Sequence, residues 1–320
     1  MTEWKNGIAK ITLPTPFAVG DVNVFLIKGD RLTLVDVGPN TESAWEALKS
    51  QLNDLKLHPG DIEQVILTHH HPDHSGLLDR FSPSLEVYGH FLNERWINRN
   101  QSFFEEHDDF YRKLFVEFGI PEKFFSFIDI MKKSLKFSCN RSLTGTLAED
   151  GNPPGLDDWK VLETPGHAQS HIALWRKKDG IVIGGDLLLA SISPNPLLEP
   201  PLPGKTERPK PQLQYNNSIK RLLNFPIERM YTGHGTDITD VHQLIEKRLE
   251  RQHERAMQVK KWLENEELTV FEICKRLFPA VYERELSLTI SETIAQLDYL
   301  DSLGEIDIMK DNQTYIFKAK

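Results

Sequence analysis

The sequence predicts an α/β protein of layered sheets and helices, and three observations carry that expectation. Short runs rich in β-branched residues recur between turn residues, a stretch with helical apolar spacing follows them, and strand character then returns. Residues 8–13, 22–27 and 32–37 read as strands separated by Gly, Pro, Asp and Asn. A helix comes next, with Trp45, Leu48, Leu52 and Leu55 spaced 3, 4 and 3 apart and Ser43 and Glu46 at capping-box spacing. Residues 62–68 return to strand.

Beyond residue 90 the pattern becomes helical and aromatic. Nine of the chain's 17 Phe lie between Phe91 and Phe127. These rings are expected to pack an insertion, residues 90–137, onto the body in preference to forming a substrate-facing lid, because aromatic stripes usually form core. Strand character resumes at 159–164, 172–176 and 181–185. Seven of the 19 prolines fall between Ser193 and Gln212, which leaves that stretch neither helix nor interior strand, so it must be loop. Residues 215–224 read as helix, 229–232 as strand and 238–263 as a long amphipathic connector. The last 57 residues read as helices near 269–277 and 286–303, then strands 305–309 and 314–317 around Asp311-Asn312. Helices followed by a hairpin resemble a winged-helix domain. Three units are therefore expected: residues 1–237 with the insertion, the connector 238–263, and a winged-helix-like unit 264–320.

Composition narrows the class. At 320 residues, with 39% hydrophobic and 27% charged, the chain reads as an ordinary globular protein of about two domains. No apolar run approaches the roughly 18 residues of a membrane span, and residues 1–17 lack signal-peptide order, so no membrane association and a cytoplasmic location are expected. Cys139 and Cys274 are the only cysteines, which supports neither a disulfide framework nor a thiolate zinc site. The net charge of −9 disfavours strong non-specific binding to nucleic acid.

The sharpest feature is Thr68-His69-His70-His71-Pro72-Asp73-His74, directly after an apolar run. Imidazoles and a carboxylate suit zinc, and coordination can offset the crowding of several such groups in one tight loop. Three further sites share the grammar of a ligand type just past a strand-like run and beside glycine: His167 in Pro165-Gly166-His167, Asp186 in Gly184-Gly185-Asp186, and His234 in Gly233-His234-Gly235. Taken singly, each reads as a turn residue.

Taken in this order the residues resemble the metallo-β-lactamase superfamily: His-x-His-x-Asp-His, then Pro-Gly-His, Gly-Asp and Gly-His, over residues 8 to 236. The resemblance implies an αββα sandwich with the site along one edge. It implies that residues 1–237 are the catalytic domain, with His69, His71 and His167 on a first metal, Asp73, His74 and His234 on a second, and Asp186 bridging them. Asp36, in Leu34-Val35-Asp36-Val37-Gly38, would orient the ligand loop rather than bind metal. His171 is expected to support the site in the same way, or structurally. His70 is expected to point away from its neighbours, and His58, His90, His107, His242 and His253 to be solvated or structural.

Two divalent ions sharing a water would lower its pKa from about 15.7 towards 7, sparing on the order of 12 kcal/mol in forming hydroxide. Asp73 would also orient that hydroxide. The implied cofactors are two Zn2+ per chain, with Fe or Mn left open as alternatives by these ligands. The first expectation is a dinuclear hydrolase of a small ester or thioester. Flavodiiron oxygen reductases are set aside because they carry Glu where this chain has His71, and secreted β-lactamases because no signal peptide is read.

Beyond the motifs, the closest resemblance is to the β-lactamase-like protein 2 type, which couples the sandwich to a C-terminal winged helix and includes a single-stranded RNA endonuclease and glyoxalase-II-like thioesterases. Tyr215-Asn216-Asn217-Ser218-Ile219, Tyr231-Thr232-Gly233-His234-Gly235 and the Arg248 and Arg251 helix carry it. Endoribonuclease, an iron-dependent persulfide dioxygenase-like oxidoreductase and a metal-binding regulatory scaffold are the alternatives. The long aromatic insertion and the proline-rich loop depart from the family and should border the site. Residues 241–320 hold 12 Lys and Arg against 15 Asp and Glu, a net of −3, and Glu292, Asp298 and Asp301 lie on the helix expected to enter a groove. Duplex DNA is therefore not an expected partner, and the C-terminal unit is expected to pack on the body or on a partner subunit, a homo-oligomer being compatible.

Overall fold

The computed structural model describes residues 2–320, Met131 by its backbone alone. Strand β1 (Ile8–Leu13) pairs antiparallel with β2 (Val22–Lys28), whose apolar residues divide between two cores. Val22, Val24 and Leu26 enter one core and Phe25 and Ile27 the other. Alternate residues of a strand point to opposite faces, so a run apolar at successive positions needs cover on both. With β3 (Leu32–Val35), β4 (Gln64–Ile66), β5 (Glu86–Gly89) and β6 (Gly145–Thr146) these strands form one six-stranded sheet in chain order, antiparallel through β3 and parallel beyond it. A second sheet has the order β10-β9-β8-β7, from β7 (Trp159–Glu163), β8 (Ile172–Arg176), β9 (Ile181–Ile183) and β10 (Arg229–Tyr231).

The sheets meet through Phe25, Ile27 and Ile66 on one side and Trp159, Val161, Ile172 and Ile183 on the other. Helix α1 (Glu42–Asp54) covers the outside of the first sheet with Ala44, Leu48 and Leu52. Thr41 caps it, accepting from the Ala44 amide at 3.2 Å. The capping box expected from Ser43 and Glu46 does not form, because Ser43 already lies inside the helix, bonded to the Thr41 hydroxyl, and Glu46 bonds Lys49. The outside of the second sheet is covered by the two helices that flank β10. These helices, residues 211–222 and the first turns of 241–263, bury Tyr215, Ile219, Val241 and Ile245. The result is the αββα sandwich.

The insertion lies between β5 and β6 of the first sheet: α3 (Glu94–Ile97) and α4 (Gln101–Glu117) follow β5 and α5 (Ser126–Lys133) precedes β6, while the single turn α2 (Pro72–Ser75) lies earlier, within the ligand loop. In the second half, α6 (Pro211–Leu222) and α7 (Val241–Leu263) are followed by β11 (Leu268–Thr269), α8 (Val270–Leu277), α9 (Leu286–Ser302), β12 (Ile306–Asp311) and β13 (Thr314–Ala319). The last strands form an antiparallel sheet of order β11-β13-β12. A Thr269–Glu272 capping box starts α8.

The insertion's rings do form core, but their main partner is the C-terminal unit rather than the sheets. Phe115, Phe118 and Phe124 share one cluster with Val259, Phe271, Ile294 and Phe317, and the Phe271 amide donates to the Phe118 carbonyl at 3.1 Å. Phe spacing on a helix reports an apolar face but not what will cover it. Among the described residues no helix is long and apolar enough to cross a membrane.

Candidate metal centre

Strand β4 runs parallel to β3 and β5, and the chain leaves its end at Leu67-Thr68 to enter the ligand loop. Asp36, just past the end of β3, holds that loop in place. It is 2% exposed and in the left-handed region at φ 58°. Its Oδ1 accepts from the Thr68 amide at 2.8 Å, and its Oδ2 accepts from Thr68 Oγ1 at 2.7 Å and His74 Nδ1 at 2.8 Å. Pro72 opens the single turn α2, so His71, Asp73 and His74 leave the backbone within four residues.

The loops after β7, β9 and β10 deliver the remaining groups to the same point. His69 Nε2 and His167 Nε2 lie 2.8 and 3.1 Å from His71 Nδ1. His234 Nε2 lies 3.3 Å from Asp73 Oδ2. Asp186 stands between the two groups, 3.5 Å from His167 Nε2, 3.6 Å from His74 Nε2 and 3.6 Å from His234 Nε2. Three overlapping trios, His69-His71-His167, His69-His74-Asp186 and Asp73-His74-His234, each have ligand atoms within 4.8 Å of one another. The structure thus brings together all the residues expected as ligands. Close approach here requires glycine: a Cβ on Gly233 would lie 2.2 Å from Asp186 Oδ1 and 2.9 Å from His74 Cε1.

The outer nitrogens fix which inner ones are free. His69 Nδ1 donates to Thr68 Oγ1, His74 Nδ1 to Asp36, His167 Nδ1 to the Asn195 carbonyl at 2.9 Å and His234 Nδ1 to the Asp21 carbonyl at 2.8 Å. Each arrangement leaves an Nε2 lone pair aimed inward, as metal-binding imidazoles require. His171 acts on Asp186: Thr164 holds its Nδ1 at 2.7 Å, and its Nε2 accepts the Asp186 amide at 3.2 Å.

The donor set fits cations. Among the described residues, His74 Nε2, His234 Nε2 and Asp186 Oδ1 are buried with no hydrogen-bond partner. Each such orphan costs about 1–3 kcal/mol unless something satisfies it. Burial pushes His69 and His71 well below the usual imidazole range, and repulsion from neighbouring imidazoles adds to it. Burial acts the same way on His74 and His234, but the carboxylates of Asp186 and Asp73, with Asp36 at His74, outweigh it and raise both. Burial would raise Asp186, yet His74 and His234 hold its carboxyl far below the usual range. A divalent ion would supply the charge these lone pairs face and displace the protons they otherwise attract.

Beside His70 and His71 lies a cavity of about 420 Å³, whose walls include Trp96, Phe104 and Tyr111 of the insertion, Leu198 of the proline-rich loop and Leu288 of α9. His70 is not solvated. It is 5% exposed, bonds Ser170 at 2.8 Å and stacks on Trp96 with centroids 4.3 Å apart. His90 and His107 are buried too, His107 in the cavity wall. Sequence reasoning missed Asn195, which acts through a backbone carbonyl, and Glu199, which is 4% exposed, pairs with Arg95 at 3.3 Å and accepts the Gln169 amide at 2.7 Å. The only signal for either was the proline-rich loop that contains them.

Residues 18–234 match the metallo-beta-lactamase superfamily, and the chain belongs to it. A relative from Bacillus subtilis (strain 168), "Probable metallo-hydrolase YqjP", is 47% identical over 312 residues, 98% of each chain. The "Beta-lactamase-like protein 2 homolog" of Caenorhabditis elegans is 24% identical over 268 residues, 83% of this chain and 73% of that protein. Among solved structures, a metallo-beta-lactamase family protein from Thermus thermophilus superposes with a TM-score of 0.81 at 27% identity, over 99% of both chains.

Proposed function

We propose that the protein hydrolyses a small ester or thioester at a centre of two metal ions, held by His69, His71 and His167 and by Asp73, His74 and His234, with Asp186 shared. The chain is a metallo-hydrolase of the metallo-beta-lactamase superfamily. When bound, two divalent ions supply an activated water and polarise the scissile carbonyl oxygen. The protein's own groups do the rest. Asp186 stays anionic against the cations, and His171 fixes its backbone. Asp36 locks the loop that carries four ligands. Asp73, whose Oδ2 lies 3.3 Å from His234 Nε2, would orient the attacking water. The rings of Trp96, Phe104 and Tyr111 line the acyl side.

The observation that supports the substrate reading is the cavity beside His70 and His71, whose mainly apolar lining suits an acyl group better than a polyanion. The test compares wild type with Asp186→Ala on p-nitrophenyl butyrate, a butyryl thioester and a labelled single-stranded RNA. Ester or thioester turnover by wild type, lost by at least about 100-fold in the variant, is expected. RNA cleavage by wild type alone, with no ester turnover, would replace this reading with an endoribonuclease.

A further inference from the structure

Ile130 and Leu288 are large apolar side chains left 45% and 39% exposed. Both line the cavity beside His71, one from α5 in the insertion and one from the first turn of α9. A single exposed apolar residue needs no explanation, but two from segments far apart in sequence, continuing a wall that includes Phe104 and Phe127, form one surface. The charged groups around it are largely spent on the protein itself. Lys132 bonds Asp108, and Glu199 pairs with Arg95. The lining carries two basic side chains, Lys132 and Arg284, and two acidic ones, Glu199 and Glu285, so it presents no net positive charge to a phosphate backbone.

We infer that this cavity binds an apolar acyl chain, with its carbonyl end at His71, and that the insertion and the C-terminal helix build the site jointly. The inference rests on the ester or thioester reading and names the acyl class for it. It also gives the C-terminal unit a function: α9 supplies a wall, and Asn195 joins that wall to the ligands. The Asn195 side-chain amide donates to the Leu288 carbonyl at 3.0 Å, while its own carbonyl accepts from His167.

The test is calorimetric titration of the full-length, metal-loaded protein with acetate, butyrate, hexanoate and octanoate. Affinity is expected to rise about fourfold per added methylene as apolar surface enters the cavity. Ile130→Asp and Leu288→Asp should flatten that dependence and weaken octanoate by about tenfold or more, with metal content and melting temperature retained. Both sites are exposed, and an acidic residue in the first turn of α9 suits the helix dipole. Affinity independent of chain length, unchanged octanoate binding in both variants, or binding of adenosine 5′-monophosphate in place of octanoate would overturn the inference. Chain-length-dependent binding without turnover of any ester would remove the hydrolase reading and leave the acyl site standing. Thioester turnover without that dependence would do the reverse.

Discussion

His69, His71, Asp73 and His74 leave the backbone within one short loop, whereas the cavity beside them is assembled from the insertion, the proline-rich loop and α9. The two regions are stabilised by different means. The loop is held by short hydrogen bonds that Thr68 and His74 donate to Asp36 and by the His74 carbonyl, which accepts the Val37 amide at 2.8 Å. Part of the cavity's wall, Tyr111 and Leu198, belongs to the apolar core that the insertion and the C-terminal unit share, and Phe127 packs against that core. Chemistry here depends on local geometry, and substrate shape depends on long-range packing. The two should fail independently.

The largest separation comes from deleting residues 264–320. Phe115, Phe118 and Phe124 would lose their partners in α8, α9 and β13, and an insoluble or inactive protein is expected. Full activity with an unchanged melting temperature would show that the shared core is dispensable. Phe115→Ala is the milder version. At 1% exposure its loss should cost about 3–5 kcal/mol by denaturant unfolding while the purified protein still binds metal, and a cost below about 1 kcal/mol would contradict the packing described. Asp36→Ala acts on the other region. Removing three hydrogen bonds to the loop should weaken metal affinity by about 10–100-fold in competition with a chelator, while cavity binding of octanoate in reconstituted protein persists. Unaltered metal affinity would mean that the loop is rigid without Asp36.

The same contrast explains what could be read from the sequence. His167, Asp186 and His234 each read as a turn residue when taken singly, and only the resemblance of the whole ordered set to the family picked them out; their shared setting, just past a strand run and beside glycine, is the local part of that signal. The strands and most helices were legible from periodicity, although α6 begins at Pro211, four residues before the expected start. Proline there fits the first turn of a helix, so proline density overstated the loop. His70 stays outside the ligand groups but is buried rather than solvated, which the sequence did not show because its partners, Ser170 and Trp96, are distant in sequence. Asn195 was invisible because a backbone carbonyl leaves no residue-type signature. The docking of the insertion on the C-terminal unit was unreadable for a related reason, since an aromatic stripe does not name its partner.

The most direct test of the account is metal stoichiometry by elemental mass spectrometry after zinc reconstitution of wild type, His234→Ala and Asp186→Ala. The account predicts two ions per wild-type chain, one retained with His234→Ala because His69, His71 and His167 remain, and weakened retention of both with Asp186→Ala. One ion or none in wild type, or a stoichiometry unmoved by both substitutions, would contradict it.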